Sequence, residues 1–354
     1  MEDAETLSEE YSKALLPNTI IQLIMGTLGV FGNCLVLLMY TKYVEDNKGS
    51  RYFIPVLAFV DLIGTVSNVT GFYMRDNMRY NHGSDFLCKM FPFTTALTGG
   101  FSAHLTFAIA LQRYLMICRP FGQQLSTQRR RVFVLVLFLI STAYASPLLK
   151  LNKIQVYTSA LNNVTSNFST CATSNDTYRS SDLVQYLGVL LFFSIINIFV
   201  TSILYIPVIK AIYKRRLNVR RIQANTVPDG NINISSRELQ TFGVGENAGL
   251  KNSTQTNDEN NKTSRKDREA RKNISVMYLV IIIVYVVSYG TSLVTQIYHF
   301  TKTEEIKGYK RNINFLFMRF QLVNHIANPY IYWYYDLKFR KELRRFCCDK
   351  ILKK

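Results

Sequence analysis

Hydrophobic and polar residues alternate along this chain in long blocks rather than in the short periods of a soluble protein. Seven mostly apolar blocks each have about the length, roughly 20 residues, that a helix needs to cross a bilayer. This pattern predicts an all-α membrane protein, a seven-transmembrane helix bundle within residues 19–335. The predicted spans are residues 19–40, 52–74, 86–118, 132–149, 183–213, 274–300 and 313–335.

The segments outside these blocks have their own compositions. Residues 1–18 are polar and acidic without a signal peptide, which predicts an extracellular N-terminal tail and a first span that serves as the insertion signal. Residues 217–268 are rich in Asn, Ser, Thr and charge, which predicts a disordered third inner loop. Residues 336–354 start basic and amphipathic, which predicts a short amphipathic eighth helix and a cytoplasmic tail.

The net charge of +18 sets the expected orientation. Most of the 42 Lys and Arg residues lie in alternate gaps between the spans and in the C-terminal tail. Because positive loops stay on the cytoplasmic side, we expect a multi-pass plasma-membrane protein with its N-terminus outside. Attraction to lipid headgroups is enough to explain the charge, so no nucleic-acid partner is expected.

Cysteines and sequons agree with this orientation. Cys88 begins the third span on the outer side and Cys171 lies in the loop after the fourth span, so both would meet an oxidising compartment and a disulfide is expected. Cys347 and Cys348 follow the basic amphipathic segment and match a palmitoylation site, with two unmodified thiols as the alternative. The outer loop also carries glycosylation sequons at Asn163, Asn167 and Asn175.

Short motifs stand in order in the predicted spans: Gly32-Asn33, Leu57-Ala58-Phe59-Val60-Asp61, Gln112-Arg113-Tyr114 and Asn328-Pro329-Tyr330-Ile331-Tyr332. With the spacing from Cys88 to Arg113, they make roughly residues 19–348 resemble the rhodopsin-like (class A) G-protein-coupled receptors, in particular invertebrate-type neuropeptide receptors. The resemblance implies a receptor, not an enzyme, that binds an extracellular ligand and activates heterotrimeric G proteins by outward movement of helix six. It also implies arrestin, a receptor kinase and membrane lipid as partners.

The resemblance assigns a polar network to Asp61, the one acidic residue found deep in a predicted span. It places Ser102, Asn324 and Asn328 around this carboxylate, and such oxygen donors suit a hard cation. An allosteric Na⁺ that favours the inactive state is therefore expected, with a protonated Asp61 in a water-filled network as the alternative. Pro329 frees a backbone carbonyl and is expected to bend the seventh helix.

Three further residues are expected to carry activation and G-protein coupling: Arg113, Tyr205 and Tyr332. In the family, Arg113 would be restrained by acidic neighbours. Here Gln112 precedes it, and the aligned residue at the base of the sixth span is Arg271. Weaker restraints predict measurable basal signalling, which the substitution Gln112→Glu should reduce.

The resemblance also gives a ligand pocket. Thr95 stands where aminergic receptors carry an aspartate, and Leu322 where opsins carry the retinal lysine. Arg75 and Arg319 lie in the outer half with no deep acid seen nearby, so Arg319 is expected to bind a ligand carboxylate or amide oxygen, with snorkelling to the interface as the alternative. The mixture of side chains favours a peptide over a non-peptide small or lipid-like ligand. The implied pocket also includes Gly99, Tyr289 (the expected aromatic switch), Ser292, Gln296 and Met318.

Two other classes of membrane protein fit less well. An intramembrane hydrolase would need a His/Asp metal site, but the four histidines lie scattered on separate segments. Two of them, His104 and His325, are expected to make packing hydrogen bonds. A transporter would show inverted repeats and interrupted helices, which the sequence does not reveal.

Overall fold

The computed structural model describes residues 4–44, 49–80, 83–161, 164–173, 181–225, 254–301 and 308–348. Within them the chain forms a helical bundle with one antiparallel two-stranded sheet. In chain order the elements are α1 (Ala4–Lys42), α2 (Phe53–Asn77), α3 (Asp85–Cys118), α4 (Thr127–Ala145), α5 (Leu148–Leu151), β1 (Asn152–Leu161), β2 (Val164–Thr173), α6 (Ser181–Asn225), α7 (Thr254–Thr301), α8 (Tyr309–Met318), α9 (Leu322–Tyr335) and α10 (Leu337–Phe346).

The bundle exposes large apolar side chains on its outer surface and buries a hydrophobic core together with several polar side chains. Within the described residues, six helical stretches are long and apolar enough to cross a bilayer, and they correspond to the first six predicted spans. Large side chains such as Phe31 on α1 and Phe199 on α6 face outward, whereas Asn33 and Asp61 are fully buried. Because polar groups within a membrane protein need internal hydrogen-bond partners, such buried side chains link one helix to another.

The seventh predicted span is two consecutive helices, α8 and α9, with a tight turn between them. In this turn the backbone hydrogen bonds join residues three positions apart instead of four, as in a 3₁₀-helix. Leu322 N–H donates to the Arg319 carbonyl at 3.0 Å, and Asn324 N–H donates to the Gln321 carbonyl at 3.1 Å. With 10 and 14 residues, neither helix is as long as a full span. The turn changes the direction of the Arg319 side chain relative to a continuous helix.

Two ends of the bundle can be defined by their residues. At the end called here the disulfide end, β1 and β2 form a hairpin, and the predicted bond between Cys88 and Cys171 is confirmed. Asn167 lies in β2, whereas Asn163 and Asn175 fall outside the described residues. At the opposite end, called the Arg113 end, the predicted eighth helix is confirmed as α10.

Helices extend into segments that composition had assigned to tails and loops. Helix α1 begins at Ala4, so residues 4–18, predicted to be an extracellular tail, are helical and continuous with the helix of the first span. Asn18 donates to the Asn312 side chain at 2.6 Å, which ties this extension to α8. Helices α6 and α7 also run into the segment 217–268 predicted to be disordered, while residues 226–253 lie outside the described part of the chain.

Candidate functional site: a polar axis between two ends of the bundle

Asp61 is fully buried at the centre of the bundle and accepts three hydrogen bonds. Its Oδ1 accepts from the Ser102 hydroxyl at 3.0 Å and contacts His325 Nδ1 at 2.7 Å. Its Oδ2 accepts from the Asn328 amide at 2.7 Å. Asn324 joins through Ser102, whose Oγ accepts its amide at 3.1 Å. The four residues predicted to form one network therefore lie together, and His325 is an additional partner that the sequence had placed only in helix packing.

Pro329 leaves a backbone acceptor that α1 satisfies. Because proline has no N–H, the His325 carbonyl four residues earlier loses its helical partner. The Asn33 amide donates to this carbonyl at 2.9 Å. A Cβ atom on Gly32 would lie only 2.9 Å from Pro329 Cβ, so glycine permits the close approach of the two helices. The motif in the first span thus compensates for the proline in the seventh.

Arg113 is held by neutral groups at its end of the bundle. Its guanidinium donates to the Ser50 carbonyl and lies 3.9 Å from the centre of the Tyr278 ring on α7. The Tyr278 hydroxyl donates to the same Ser50 carbonyl at 3.1 Å. Gln112 donates to the neighbouring Gly49 carbonyl at 2.9 Å. The backbone between α1 and α2 and an aromatic face therefore occupy the place of the acidic restraints.

This arrangement changes the meaning of the prediction for Gln112→Glu. A glutamate at position 112 would lose the donor to the Gly49 carbonyl and place a negative charge against it. The substitution Gln112→Glu is therefore a poor test of a missing ionic restraint. Gly49 itself has φ +62°, a conformation that favours glycine, and Arg130 donates to its carbonyl at 2.9 Å.

Tyr205 and Tyr332 lie on the two sides of this region. The Tyr205 hydroxyl donates to the Ser275 carbonyl of α7 at 2.9 Å, which links α6 to α7. Tyr332 is fully buried with its ring 5.9 Å from that of Tyr40, and its hydroxyl has no hydrogen-bond partner among the described residues. Neither tyrosine donates to Arg113 in this structure, so their expected approach to it stays a prediction.

Asp336 organises the start of α10. Its carboxylate accepts two bonds from Arg51, at 2.6 and 3.1 Å, one from the Tyr40 hydroxyl at 2.8 Å, and those of the first backbone N–H groups of α10. Burial alone would lower the pKa of Arg51, but the hydrogen bond and charge of Asp336 outweigh it and hold that pKa above its ordinary value. Arg51 therefore keeps its charge, and its hydrogen bonds to Asp336 connect the loop beside Arg113 to α10.

A cavity of about 1170 Å³ opens between the helices at the disulfide end. Most of its lining side chains are apolar or aromatic, and β2 contributes part of the wall. Of the predicted ligand-binding residues, five line this cavity: Arg75, Thr95, Gly99, Tyr289 and Gln296.

Tyrosines on α7 connect the floor of the cavity to two other helices. The Tyr289 hydroxyl donates to the Gly99 carbonyl of α3 at 2.7 Å. The Tyr285 hydroxyl donates to Asn197 of α6 at 2.6 Å, and the two tyrosine rings lie 5.0 Å apart. A ligand that moves either ring would therefore alter how α7 sits against α3 and α6.

The expectation that Arg319 has no acid nearby is wrong. Asp76, near the end of α2, accepts from both terminal nitrogens of Arg319 at 2.6 Å. Both side chains are buried, at 4% exposed for Arg319 and 1% for Asp76. The guanidinium also lies 4.7 Å from the centre of the Phe72 ring. Arg319 is a structural cation between α2 and the seventh span and does not line the cavity.

Two further pocket predictions are corrected by contacts between helices. The Ser292 hydroxyl donates to the Met318 carbonyl at 2.6 Å, so both residues join α7 to α8 and neither lines the cavity. Gln296 donates to the Ser292 hydroxyl at 3.1 Å and does reach the lining. The residues that sequence reasoning missed include Asp76, Arg79, Tyr144 and Tyr285; Asp76 had a signal, since it is an acid next to Arg75 within a helix.

At the end of α10, Cys347 is partly buried and Cys348 is exposed, and both are free thiols. Among the described residues, no group of three or more His, Cys, Asp or Glu side chains is placed to bind a metal ion. Glycosylation of the outer-loop sequons and palmitoylation of these two thiols stay predictions.

Comparisons with known proteins give similarity along most of the chain. Residues 32–332 match the family described as "7 transmembrane receptor (rhodopsin family)". A melanopsin of Branchiostoma belcheri is 31% identical over 125 residues, which covers 35% of this chain and 18% of that protein. A QRFP-like peptide receptor of Branchiostoma floridae is 26% identical over 136 residues, covering 38% of this chain and 36% of that protein. The matched segments thus span well under two thirds of either relative.

The fold is similar to that of a solved structure, squid rhodopsin. The two superpose with a TM-score of 0.65 at 17% identity, covering 96% of this chain and 85% of the other. Since the family match extends from the Gly32-Asn33 motif to Tyr332 and the helices follow the same fold, this multi-pass membrane protein belongs to the rhodopsin family of seven-transmembrane receptors.

Proposed function

We propose that this receptor binds an extracellular peptide in the cavity at the disulfide end and activates a heterotrimeric G protein at the Arg113 end. The observation that carries the proposal is that α7 makes polar or cation–π contacts at both ends of the bundle, with the Asp61 network at the centre of the bundle. The cavity floor at Tyr289 lies on α7, the Asp61 network joins α2, α3 and α9, and Tyr278 on α7 covers Arg113. A ligand that shifts α7 would therefore change the contacts of α7 at both ends of the bundle.

The size and chemistry of the cavity support a peptide ligand. Sites for small molecules usually enclose about 300–1,000 Å³, and this cavity, at about 1170 Å³, is larger. Its lining contains no lysine among the described residues, and Leu322 stands at the retinal-lysine position, which argues against an opsin-type Schiff base. One relative is named a peptide receptor. A non-peptide small or lipid-like ligand is the alternative.

Orientation and intracellular partners follow from charge. Among the described residues, the basic segments after α1 and α3 and in α10 lie at the Arg113 end, so that end is assigned to the cytoplasm and the disulfide end to the outside. The G protein, and by family resemblance arrestin and a receptor kinase, would then bind near Arg113. Acylation of Cys347 and Cys348 would fix α10 to the membrane.

The direct test is ligand-dependent nucleotide exchange. Purified receptor in lipid vesicles is incubated with a heterotrimeric G protein, a labelled GTP analogue and synthetic peptide pools. We expect at least one pool to accelerate GTP-analogue binding. Ion or solute uptake by the same vesicles, without exchange, would instead indicate a transporter.

The substitution Tyr278→Leu is expected to raise ligand-free exchange. It removes the aromatic face and the hydroxyl that hold Arg113 and Ser50 together. A cation–π contact contributes about 0.5–2 kcal/mol, so an increase of roughly twofold or more is expected. Tyr278→Phe keeps the ring and should give a smaller increase. Unchanged or lower exchange for Tyr278→Leu, at equal amounts of folded receptor, would refute the restraint.

Allosteric sodium at Asp61 is a second part of the proposal. The donor set fits in part, because the side-chain oxygens of Asn324 and Asn328 are buried without hydrogen-bond partners among the described residues, beside the Asp61 carboxylate. His325 already contacts one Asp61 oxygen and so competes for the same position. Bound sodium would stabilise the resting arrangement of α2, α3 and α9.

Sodium is expected to lower ligand-free nucleotide exchange in the wild type relative to choline at the same ionic strength. The variant Asp61→Asn should lose this difference. Equal rates in sodium and choline for the wild type would favour a cation-free hydrogen-bond network.

A further inference from the structure

Two arginines are the charged side chains of the cavity lining. Arg75 lies in the last turn of α2 and Arg79 lies two residues beyond its end. The lining includes no Asp, Glu or Lys among the described residues. Most neighbouring wall residues are apolar, among them Phe72 and Phe91. Positive charge is therefore gathered at one side of a cavity with low polarity.

The nearest carboxylate is already occupied. Both oxygens of Asp76 accept from Arg319 at 2.6 Å, and both partners are buried away from the cavity. Arg75 and Arg319 also share one aromatic ring: their guanidinium carbons lie 5.3 and 4.7 Å from the centre of Phe72. The group of Arg75, Asp76 and Arg319 thus keeps a net positive charge.

Arg79 and Arg75 differ in their neighbours. Arg79 donates to the Tyr11 hydroxyl of α1 at 2.9 Å and lies over that ring at 4.6 Å. The Arg75 guanidinium makes no hydrogen bond to any described residue, although its side chain lies in the lining and over Phe72. The Arg75 side chain is exposed, and the adjacent Asp76 carboxylate is bonded to Arg319. A guanidinium with unused donors binds a carboxylate through two parallel hydrogen bonds.

We propose that the ligand carries a carboxylate and that Arg75 binds it. The inference rests on the proposed function and adds the chemical class of the ligand: a peptide with a free C-terminus or an acidic side chain that enters the cavity. It moves the anion-binding role from Arg319, which the sequence favoured, to Arg75. A cationic amine is disfavoured as the inserted group, because it would face Arg75 and Arg79 without an acid in the described lining.

The test is a double-mutant cycle between receptor and ligand. The most potent peptide from the exchange screen is remade with a C-terminal amide and, separately, with each Asp or Glu replaced by Asn or Gln, which distinguishes the two sources of the carboxylate. Each form is assayed on wild type, Arg75→Gln and Arg75→Lys. Lys310→Gln is the matched control, because it removes an exposed charge at the same end outside the cavity lining.

We expect loss of one particular carboxylate, and Arg75→Gln, each to lower potency by about 10- to 100-fold. Combining the two changes should lower it no further, Arg75→Lys should retain part of the potency, and Lys310→Gln should leave it unchanged. Thermal unfolding of each purified variant identifies any that fails to fold. If Arg75→Gln does not fold, Arg75→Lys takes its place in the double-mutant cycle.

Additive losses, or full potency of peptides without any carboxylate, would overturn the role of Arg75 while leaving the receptor function intact. Failure of every pool to stimulate exchange on the wild type would instead contradict the proposed peptide-receptor function, and the inference would fall with it.

Discussion

The variant Asp76→Ala is expected to lose about 3–5 kcal/mol of stability, because it leaves the Arg319 guanidinium buried without its counter-charge. The two side chains share two 2.6 Å hydrogen bonds and are almost fully buried. The loss would appear as a lower thermal unfolding midpoint of the purified receptor and a smaller fraction at the cell surface.

Two controls separate the missing partner from a general effect of mutation. Replacing both residues, as in Asp76→Leu with Arg319→Met, removes the unpaired charge and should restore most of the stability. Glu9→Ala breaks the exposed pair with Lys13 and should cost less than about 1 kcal/mol. If Asp76→Ala is no worse than Glu9→Ala, the pair does not hold α2 to the seventh span.

The same pair changes how a defect at position 319 should be interpreted. Arg319→Ala leaves Asp76 as a buried carboxylate without its guanidinium partner. We therefore expect a folding defect for this variant. A lower agonist response of Arg319→Ala cells must be corrected for the amount of folded receptor before it is assigned to ligand contact.

The variant Asp336→Ala is expected to have a comparable effect at the other end. It leaves Arg51, buried beside it, without its carboxylate partner, at a cost of about 3–5 kcal/mol. It also removes the side-chain cap of α10, worth about 1 kcal/mol. The unfolding midpoint should fall, and α10 should become more susceptible to limited proteolysis.

Variants in and near α10 provide the comparison for this second expectation. Asp336→Asn keeps an oxygen for capping but loses the ion pair, so its midpoint should lie between those of wild type and alanine variant. Glu342→Ala removes only the Arg345 pair, in which Arg345 is largely exposed, and should change the midpoint little. Equal midpoints for Asp336→Ala and Glu342→Ala would contradict the structural role of Asp336.

The fold could be predicted because its signals are local. Apolar blocks of bilayer length predicted the spans, the amphipathic basic segment predicted α10, and two cysteines on one side predicted the disulfide. The break at Arg319 was not predicted, because the segment 313–335 is apolar on both sides of it and the turn is stabilised by contacts with α2. The sequence alone does not show that Asp76 of α2 and Arg319 are in contact.

The polar network of the candidate site was predictable because two of its residues belong to motifs with fixed positions in the helices. Asp61 and Asn328 belong to motifs, and they do lie together. The restraint on Arg113 was not predictable, because its acceptor is the backbone carbonyl of Ser50, which any residue would provide. The role of Asp76 was not predictable, because it lies just beyond the predicted span 52–74 and its partner lies 243 positions away.

The most direct test of the proposed coupling between cavity and Arg113 end is GTP-analogue binding by a heterotrimeric G protein in receptor vesicles. Wild type and Arg113→Ala are compared, with and without the active peptide, at equal amounts of folded receptor. We expect the wild type to show a low basal rate that the peptide accelerates, and Arg113→Ala to lose the acceleration while still binding the peptide. An undiminished peptide response in Arg113→Ala would contradict the coupling, since the signal would then reach the G protein without the residue that α7 contacts at this end.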